Sequence, residues 1–431
     1  MFEVLPLGVL VEKQQGGGTP PRNEPSFWYG DIPWASVKDF KDDQLELLAT
    51  EETITSLGLR SSTSSLVPPG TPMVCTRMAV GRCAVSPTPT AINQDIRALY
   101  PKKGVDPRYL LRVIASLQGK AESLSVGSTV KGIRSSDFLA IRVHVAPEKE
   151  QGTIARILDT LDTQIQKTEA LIAKLEKVKE GLLHDLLTRG IDENGQLRPS
   201  PEQAPELYKE SPLGLIPREW DALTIDKLSA LVTSGSRGWA EYYSNSGDLF
   251  IRSQNVRMGF IDLTDQQYVV PPCDGEGQRT SVKPCDLLVT ITGNSVGNIA
   301  HLSADWKRKA FVSQHVGLIR FFQPDLSKFA EIFLAKGAPG NEQLLDAQYG
   351  QSKPGLSLDN LKSLVIPIPA QKERDELVGM LESIKSYIFI EKTLLDKLIT
   401  QKTGLMNDLL TGHVRVTPLL DQAQAQATTP A

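Results

Sequence analysis

PEKEQGTIARILDTLDTQIQKTEALIAKLEKVKEGLLHDLLTRG, residues 147–190, returns without a gap as AQKERDELVGMLESIKSYIFIEKTLLDKLITQKTGLMNDLLTGH, residues 370–413. The offset is 223 positions (405 − 182 for the leucine that follows Gly181 and Gly404). Identities include Lys149/Lys372, Glu150/Glu373, Leu158/Leu381, Ile165/Ile388, Lys174/Lys397, Leu175/Leu398 and Lys179/Lys402, and Asp185-Leu-Leu-Thr188 recurs as Asp408-Leu-Leu-Thr411. An internal repeat decides the architecture before any fold is assigned.

Each copy carries an apolar seam in alternating steps of four and three. Ile154, Leu158, Leu161, Ile165, Ile172, Leu175, Leu182 and Leu186 form it in the first copy. Leu377, Leu381, Ile384, Ile388, Leu395, Leu398, Leu405 and Leu409 form it in the second, and both seams break at matching places, Thr168/Glu391 and Lys179/Lys402. Such a seam needs a partner helix, and shared register and shared defects make the other copy that partner. At ~1.5 Å per residue each helix is roughly 50–60 Å long. Charge on them is balanced, with eight acidic and seven basic residues in 147–191 and seven and six in 370–414. A helix that grips DNA is expected to be basic, so these read as a spacer whose outer faces dock other proteins.

A chain of 431 residues holds about two or three domains. Its net charge of −4 excludes a uniformly basic protein, though DNA binding needs only a local patch. Cys75, Cys83, Cys273 and Cys285 form no Cys-x-x-Cys pair, which argues against zinc and for small, reduced, buried side chains. With neither an apolar leader nor a membrane-length run, the chain reads as soluble and cytoplasmic.

Working outward, residues 1–146 form a first mixed α and β unit, opening with Gly16-Gly-Gly-Thr-Pro-Pro21 and Trp28-Tyr-Gly-Asp-Ile-Pro-Trp34. Short apolar runs at 71–76, 79–85 and 91–99 read as strands, and 109–117 as a helix. Charge here is segregated: residues 1–52 carry ten acidic and four basic side chains, residues 53–142 four and twelve. That excess suits a phosphate-binding face, and equally an ordinary solvated one. Residues 191–219 lack periodicity and read as a linker or wrapping segment. From Trp220 to Pro369 a second unit echoes the first. Gly247-Asp-Leu-Phe-Ile-Arg-Ser253 parallels Gly30-Asp-Ile-Pro-Trp-Ala-Ser36, Leu287–Gly297 parallels Met73–Gly81, and Phe311-Val-Ser-Gln-His-Val-Gly-Leu-Ile-Arg320 parallels Ala91-Ile-Asn-Gln-Asp-Ile-Arg97. Gly350 and Gly355 stand 223 positions after Gly127 and Gly132. Lys307-Arg-Lys309, Arg279, Lys283 and Arg320 form its basic cluster. Residues 370–414 close the repeat, and 415–431 read as a disordered tail.

Catalytic signatures are missing. No G-x-x-x-x-G-K-[ST] loop, H-E-x-x-H spacing or Asn/Asp-Pro-Pro-aromatic tetrapeptide occurs, and the glycines at 16–18 lack the strand–helix context of a dinucleotide fingerprint. His184-Asp185 has no counterpart in the second copy, where Asn407 stands, so a helix-end role fits it better than acid/base work.

Taken together, these features resemble the specificity subunit of Type I restriction–modification systems. The resemblance rests on the paired coils ending Gly-Leu-Leu-His-Asp-Leu-Leu-Thr188 and Gly-Leu-Met-Asn-Asp-Leu-Leu-Thr411, on Gly16-Gly-Gly-Thr-Pro20 with Gly30-Asp-Ile-Pro-Trp34, on Asn93-Gln94 and Ser313-Gln314, and on Ser211-Pro-Leu-Gly-Leu-Ile-Pro-Arg-Glu-Trp220. It spans nearly the whole chain except the tail. The first unit departs from it by lacking an Ile-Pro-x-x-Trp lead, which suggests a trimmed or displaced first strand. The resemblance implies an α+β protein with two similar target-recognition domains and a pseudo-twofold internal repeat. Two long helices, packed as an antiparallel coiled coil, separate the domains and set the gap of a bipartite, asymmetric DNA site. It further implies two modification subunits that methylate adenine with S-adenosylmethionine, restriction subunits using ATP and magnesium, and no cofactor, metal or catalytic residue on this chain.

Base-edge reading calls for Arg, Gln, Asn and small hydroxyls, with basic neighbours for phosphates. Candidates are Trp34, Ser36, Lys38, Arg77, Arg82 and Gln94 in the first domain, and Arg252, Gln254, Asn255, Arg257, Thr292, Asn294, Lys307, Arg308 and Gln314 in the second. Surface or turn chemistry is at least as frequent for each, and Gln94 and Gln314 suit buried backbone groups equally well. Two other readings fit the sequence: a coiled-coil scaffold that binds only proteins, and the recognition part of a modification enzyme that works without ATP.

Overall fold

A computed structural model describes residues 1–42, 44–127, 130–271, 275–348 and 355–421. The repeated stretches form two helices of 41 residues, Glu148–Thr188 and Gln371–Thr411. Two compact units share them: Met1–Glu169 with the chain from Thr393 onward, and Ala170–Lys392. Each unit therefore contains one mixed α/β domain, one half of the first long helix and one half of the second. Among the described residues no helix is long and apolar enough to cross a membrane.

In the first unit Val11–Gly16, Ile96–Pro101, Met73–Cys75 and Cys83–Ala84 lie side by side in that order. The second unit repeats the order with Ser229–Ser234, Val316–Phe321, Leu287–Thr290 and Ile299–His301. A second sheet in each unit is built on one parallel pair, Trp34↔Ala91 in the first and Leu249↔Ala310 in the second. An antiparallel ribbon leads into each long helix, Glu3–Pro6 with Arg142–Val145 and Asp221–Thr224 with Val365–Ile368. The first strand of the first unit is thus neither trimmed nor displaced. Its pairing partner lies far along the chain, which is why the missing lead gave no warning.

The seam residues are buried or half-buried in both helices, and most of the positions between them are exposed. In the first unit Ile154 and Leu158 join Leu405, Leu409 and the helix Pro107–Ser116 in one core; in the second Leu182, Leu183 and Leu186 join Leu377 and Leu381. The helices run antiparallel within each unit. Asp162 pairs with Lys402 at 2.8 Å while Glu150, twelve residues earlier, pairs with Arg415. In the other unit Glu176 pairs with Lys392 at 2.7 Å and Ile191 N–H donates to Glu373 at 2.9 Å. The seam breaks are also resolved: Thr168 is buried, and Lys402 reaches Asp162 with both side chains about 15% exposed. Arg112, 3% exposed, clamps Asp159 and Asp162 and ties the first domain to its helix.

One open alternative is decided and one expectation needs correction. Residues 191–219 follow the wrapping alternative and not the linker one: Tyr208–Ser211 and Gly214–Pro217 form a hairpin, and Ile191, Tyr208 and Ile216 are buried in the second unit. The tail does not begin at 415. Arg415 and Thr417 bind Glu150, and Val416 is 1% exposed. Their partners lie more than 260 positions away, where composition carries no signal. Residues 422–431, Gly350 and Cys273 lie outside the described residues.

Burial decides the thiols, pushing Cys83 up to about 12 and moving Cys75 in the same direction, so both stay protonated. It also acts on His301, whose Nδ1 lies 3.0 Å from Ser327 Oγ beside Lys328. Desolvation, then the Lys328 charge, lower its pKa from 6.5 to about 4, against the opposing pull of Glu382. The folded protein therefore binds fewer protons than the unfolded chain between those values, and stability falls as pH drops through that window. We expect a loss of about 2 kcal/mol between pH 7 and 5 that His301→Gln abolishes. Denaturant titrations at both pH values check this, and equal slopes for the two proteins would refute a neutral buried imidazole.

Candidate nucleic-acid interface

The strands of each domain end in a cluster of loops carrying several of the polar candidates. In the first domain Gly17, Gln94 and Arg77 gather there. Gly17 lies against the end of Thr90–Ile92, where an added Cβ would stand 1.8 Å from the Ile92 carbonyl. Thr19 Oγ1 donates to Gln94 Oε1 at 2.6 Å, and Arg77 Nη1 pairs with Asp95 Oδ1 at 3.3 Å. In the second domain Thr292 Oγ1 bonds His315 Nδ1, and Gln314 Nε2 lies 3.1 Å from His315 Nε2. Among the described residues Gln314 Oε1 is buried without a hydrogen-bond partner. Ser36 caps the short helix Val37–Asp39, exchanging hydrogen bonds with Asp39, while Lys38, 72% exposed, points to Glu51 at 4.0 Å. Asn294 and Lys307 are exposed.

Other candidates have structural work instead. Trp34 is 2% exposed: its indole N–H donates to Gly18 O and Ser64 Oγ, and its ring meets Trp28 edge-on at 5.2 Å. Asn255, 3% exposed, ties down the carbonyls of Asp262 and Asp265. Neither reaches a base edge. Arg82 is held by both oxygens of Asp42, Arg252 and Gln254 by Asp265, and Arg257 by Asp262. These pairs fasten loops and neutralise charge that a phosphate contact would use.

The basic cluster of the second domain also divides. Arg320 grips the fully buried Asp286, Arg279 bonds Thr233 and Ser236, Arg308 donates to Gln266, and Lys309 pairs with Asp248. Two groups at the loop clusters, Asp95 and His315, escaped the sequence reading, as did Tyr29 on its strand. Tyr29 is 91% exposed with φ +62°, in a β-bulge before Ile32. A signal existed for the first two, because each directly follows the repeated glutamine. A cavity of about 870 Å³ in the first unit, lined partly by Asp42, Glu46, Asp162 and Glu169, has the wrong charge for phosphate.

The DNA specificity domain of Type I restriction–modification enzymes matches residues 1–177. The MjaVIII specificity subunit of Methanocaldococcus jannaschii is 23% identical over 316 residues, 73% of this chain and 72% of that relative. The EcoKI specificity subunit of Escherichia coli is 23% identical over 277 residues, 63% of this chain and 56% of that one. Residues 1–177 thus match a Type I restriction–modification DNA specificity domain, and the relatives similar to the chain are named specificity subunits. Its fold agrees with that of the solved S subunit from M. genitalium, with a TM-score of 0.55, 15% identity, and 95% of this chain and 96% of that one covered. The HsdS subunit from Thermoanaerobacter tengcongensis aligns with a TM-score of 0.50 at 14% identity, covering 96% and 97%. The matched domain is one of DNA specificity, which supports a DNA-recognition role for the chain. The scaffold reading and the ATP-independent reading are not favoured.

Proposed function

We propose that this chain is the non-catalytic reading subunit of a Type I restriction–modification complex, each domain recognising one half of a bipartite DNA site. The observation that carries the reading is the repetition of one sheet order in two domains, each sharing a compact unit with one half of both long helices. Duplicated heads suit two half-sites, and a methyltransferase that must flip its target base benefits from a rigid platform. Two modification subunits, joined by restriction subunits, dock on the helices and domains. S-adenosylmethionine, ATP and magnesium belong to those partners, and the assembly works in the cytoplasm.

The test uses the full chain reconstituted with its modification subunit and a duplex carrying the methylated sequence. Lys307 and Arg308 are exposed, and the Arg308 hydrogen bond goes to the neutral Gln266, so replacing both by alanine is expected to remove two phosphate contacts. The slope of log affinity against log salt then becomes shallower by roughly 0.9 per contact, about 2 in all, with the recognised sequence unchanged. An unaltered slope would remove this face from the interface. A wild-type complex without sequence preference would refute the reading subunit itself.

A further inference from the structure

The two loop clusters share one backbone frame. Arg77 bridges Gly132 and Thr292 bridges Gly355, glycines separated by the same 223 positions as the helices (355 − 132). Ile133 N–H donates to Thr76 O at 2.9 Å, and Leu356 N–H to Ile291 O at 2.8 Å. Thr76 N–H donates to Asp95 O at 2.8 Å, and Ile291 N–H to His315 O at 2.9 Å. Asp95 N–H is capped by Asn93 Oδ1 at 3.0 Å, and His315 N–H by Ser313 Oγ at 3.4 Å. Behind them Asn93 N–H bonds Ala35 O at 3.0 Å and Ser313 N–H bonds Ile251 O at 2.9 Å. Even the close approach of Gly17 is repeated, since a Cβ on Gly235 would stand 2.1 Å from Val312 O.

On this common frame the glutamine is kept and the pair beside it changes. The first domain places Arg77 against Asp95; the second places Thr292 against His315. A protein that reads different sequences with two copies of one fold must hold the frame and vary the groups that meet the bases. We propose that residues 77 and 95, and residues 292 and 315, are the specificity-determining pairs of the two domains. Arg77, 53% exposed, presents its fork to guanine, which offers two acceptors in the major groove, and Asp95 positions it. In the second domain the exposed imidazole of His315 is the reading group: Thr292 holds its Nδ1, and its Nε2 exchanges the Gln314 amide, 3.1 Å away, for a base edge. The first half-site therefore contains a G·C pair read by Arg77, and no arginine reads the corresponding pair of the second.

This inference rests on the proposed DNA-reading function, and one assay separates the two. The full chain is reconstituted with its modification subunit and allowed to methylate a randomised duplex library, whose modified sequences are read out. Arg77→Lys keeps charge and reach but loses the fork. Discrimination at one base pair of the first half-site should fall roughly 10- to 100-fold, with the second half-site and the gap unchanged. Grafting Thr292→Arg with His315→Asp should change one base pair of the second half-site only. If R77K leaves every base preference intact, the assignment is wrong, whether or not the graft is active. A motif shifted at several positions by R77K would equally overturn it, because the residue would then support the fold rather than read a base. A wild-type complex that methylates no defined sequence would instead refute the DNA-reading function.

Discussion

Glu373→Ala is expected to destabilise the second unit by about 3–5 kcal/mol, the range for removing one partner of a buried ion pair. Glu373 is where the chain leaving the first long helix is fastened to the start of the second. It accepts Ile191 N–H at 2.9 Å, the Trp220 indole N–H at 3.0 Å and both terminal nitrogens of Arg198. The two ionic side chains are only about a tenth exposed. Truncation leaves the Ile191 and Trp220 N–H groups without this acceptor and leaves the buried Arg198 guanidinium only the Arg189 carbonyl and the exposed Glu219. Gly190, at φ +63°, turns the chain into this clasp, and a Cβ there would stand 2.2 Å from the Glu373 carboxylate. Urea unfolding followed by Trp220 fluorescence, with exchange of the Ile191 amide, measures the cost; a change below 1 kcal/mol would show that the clasp holds nothing. The corresponding Glu150→Ala should cost less in ion-pair terms, because Arg415 is 44% exposed and regains water.

Lengthening both long helices together by one heptad, after Glu169 and after Lys392, should widen the gap between the half-sites by about three base pairs. The arithmetic is ~1.5 Å for each of seven added residues against ~3.4 Å per base pair. Both half-site sequences should survive, since the loop clusters are untouched. Insertion into one helix alone should abolish methylation. It prevents the antiparallel contacts Asp162–Lys402 and Glu176–Lys392 from forming together, because seven residues on one strand have no counterpart on the other. Mapping methylated adenines across a genome reads both outcomes, and a gap that stays constant in the double insertion would end the idea that the helices set the spacing.

The repeat, the two helices and the absence of catalytic signatures were legible in the residues because each is a local property. A seam that returns every three or four residues buries one face of a helix whatever lies elsewhere in the chain. The matched breaks at Thr168/Glu391 and Lys179/Lys402 gave the pairing of the copies, and the echoes around Gln94 and Gln314 gave the repeated domain. Which polar side chains are available to DNA was a different matter. Trp34 disappeared into a small aromatic core, Arg82 into a pair with Asp42, and Arg320 into one with Asp286. Arg415 and Val416, placed by composition in a loose tail, closed over Glu150 instead. Burial and ion pairing join residues tens to hundreds of positions apart, so they depend on the completed topology and leave no periodic trace. Sequence alone therefore determined that two similar heads stand on paired helices, and the tertiary structure decided which side chains those heads leave exposed.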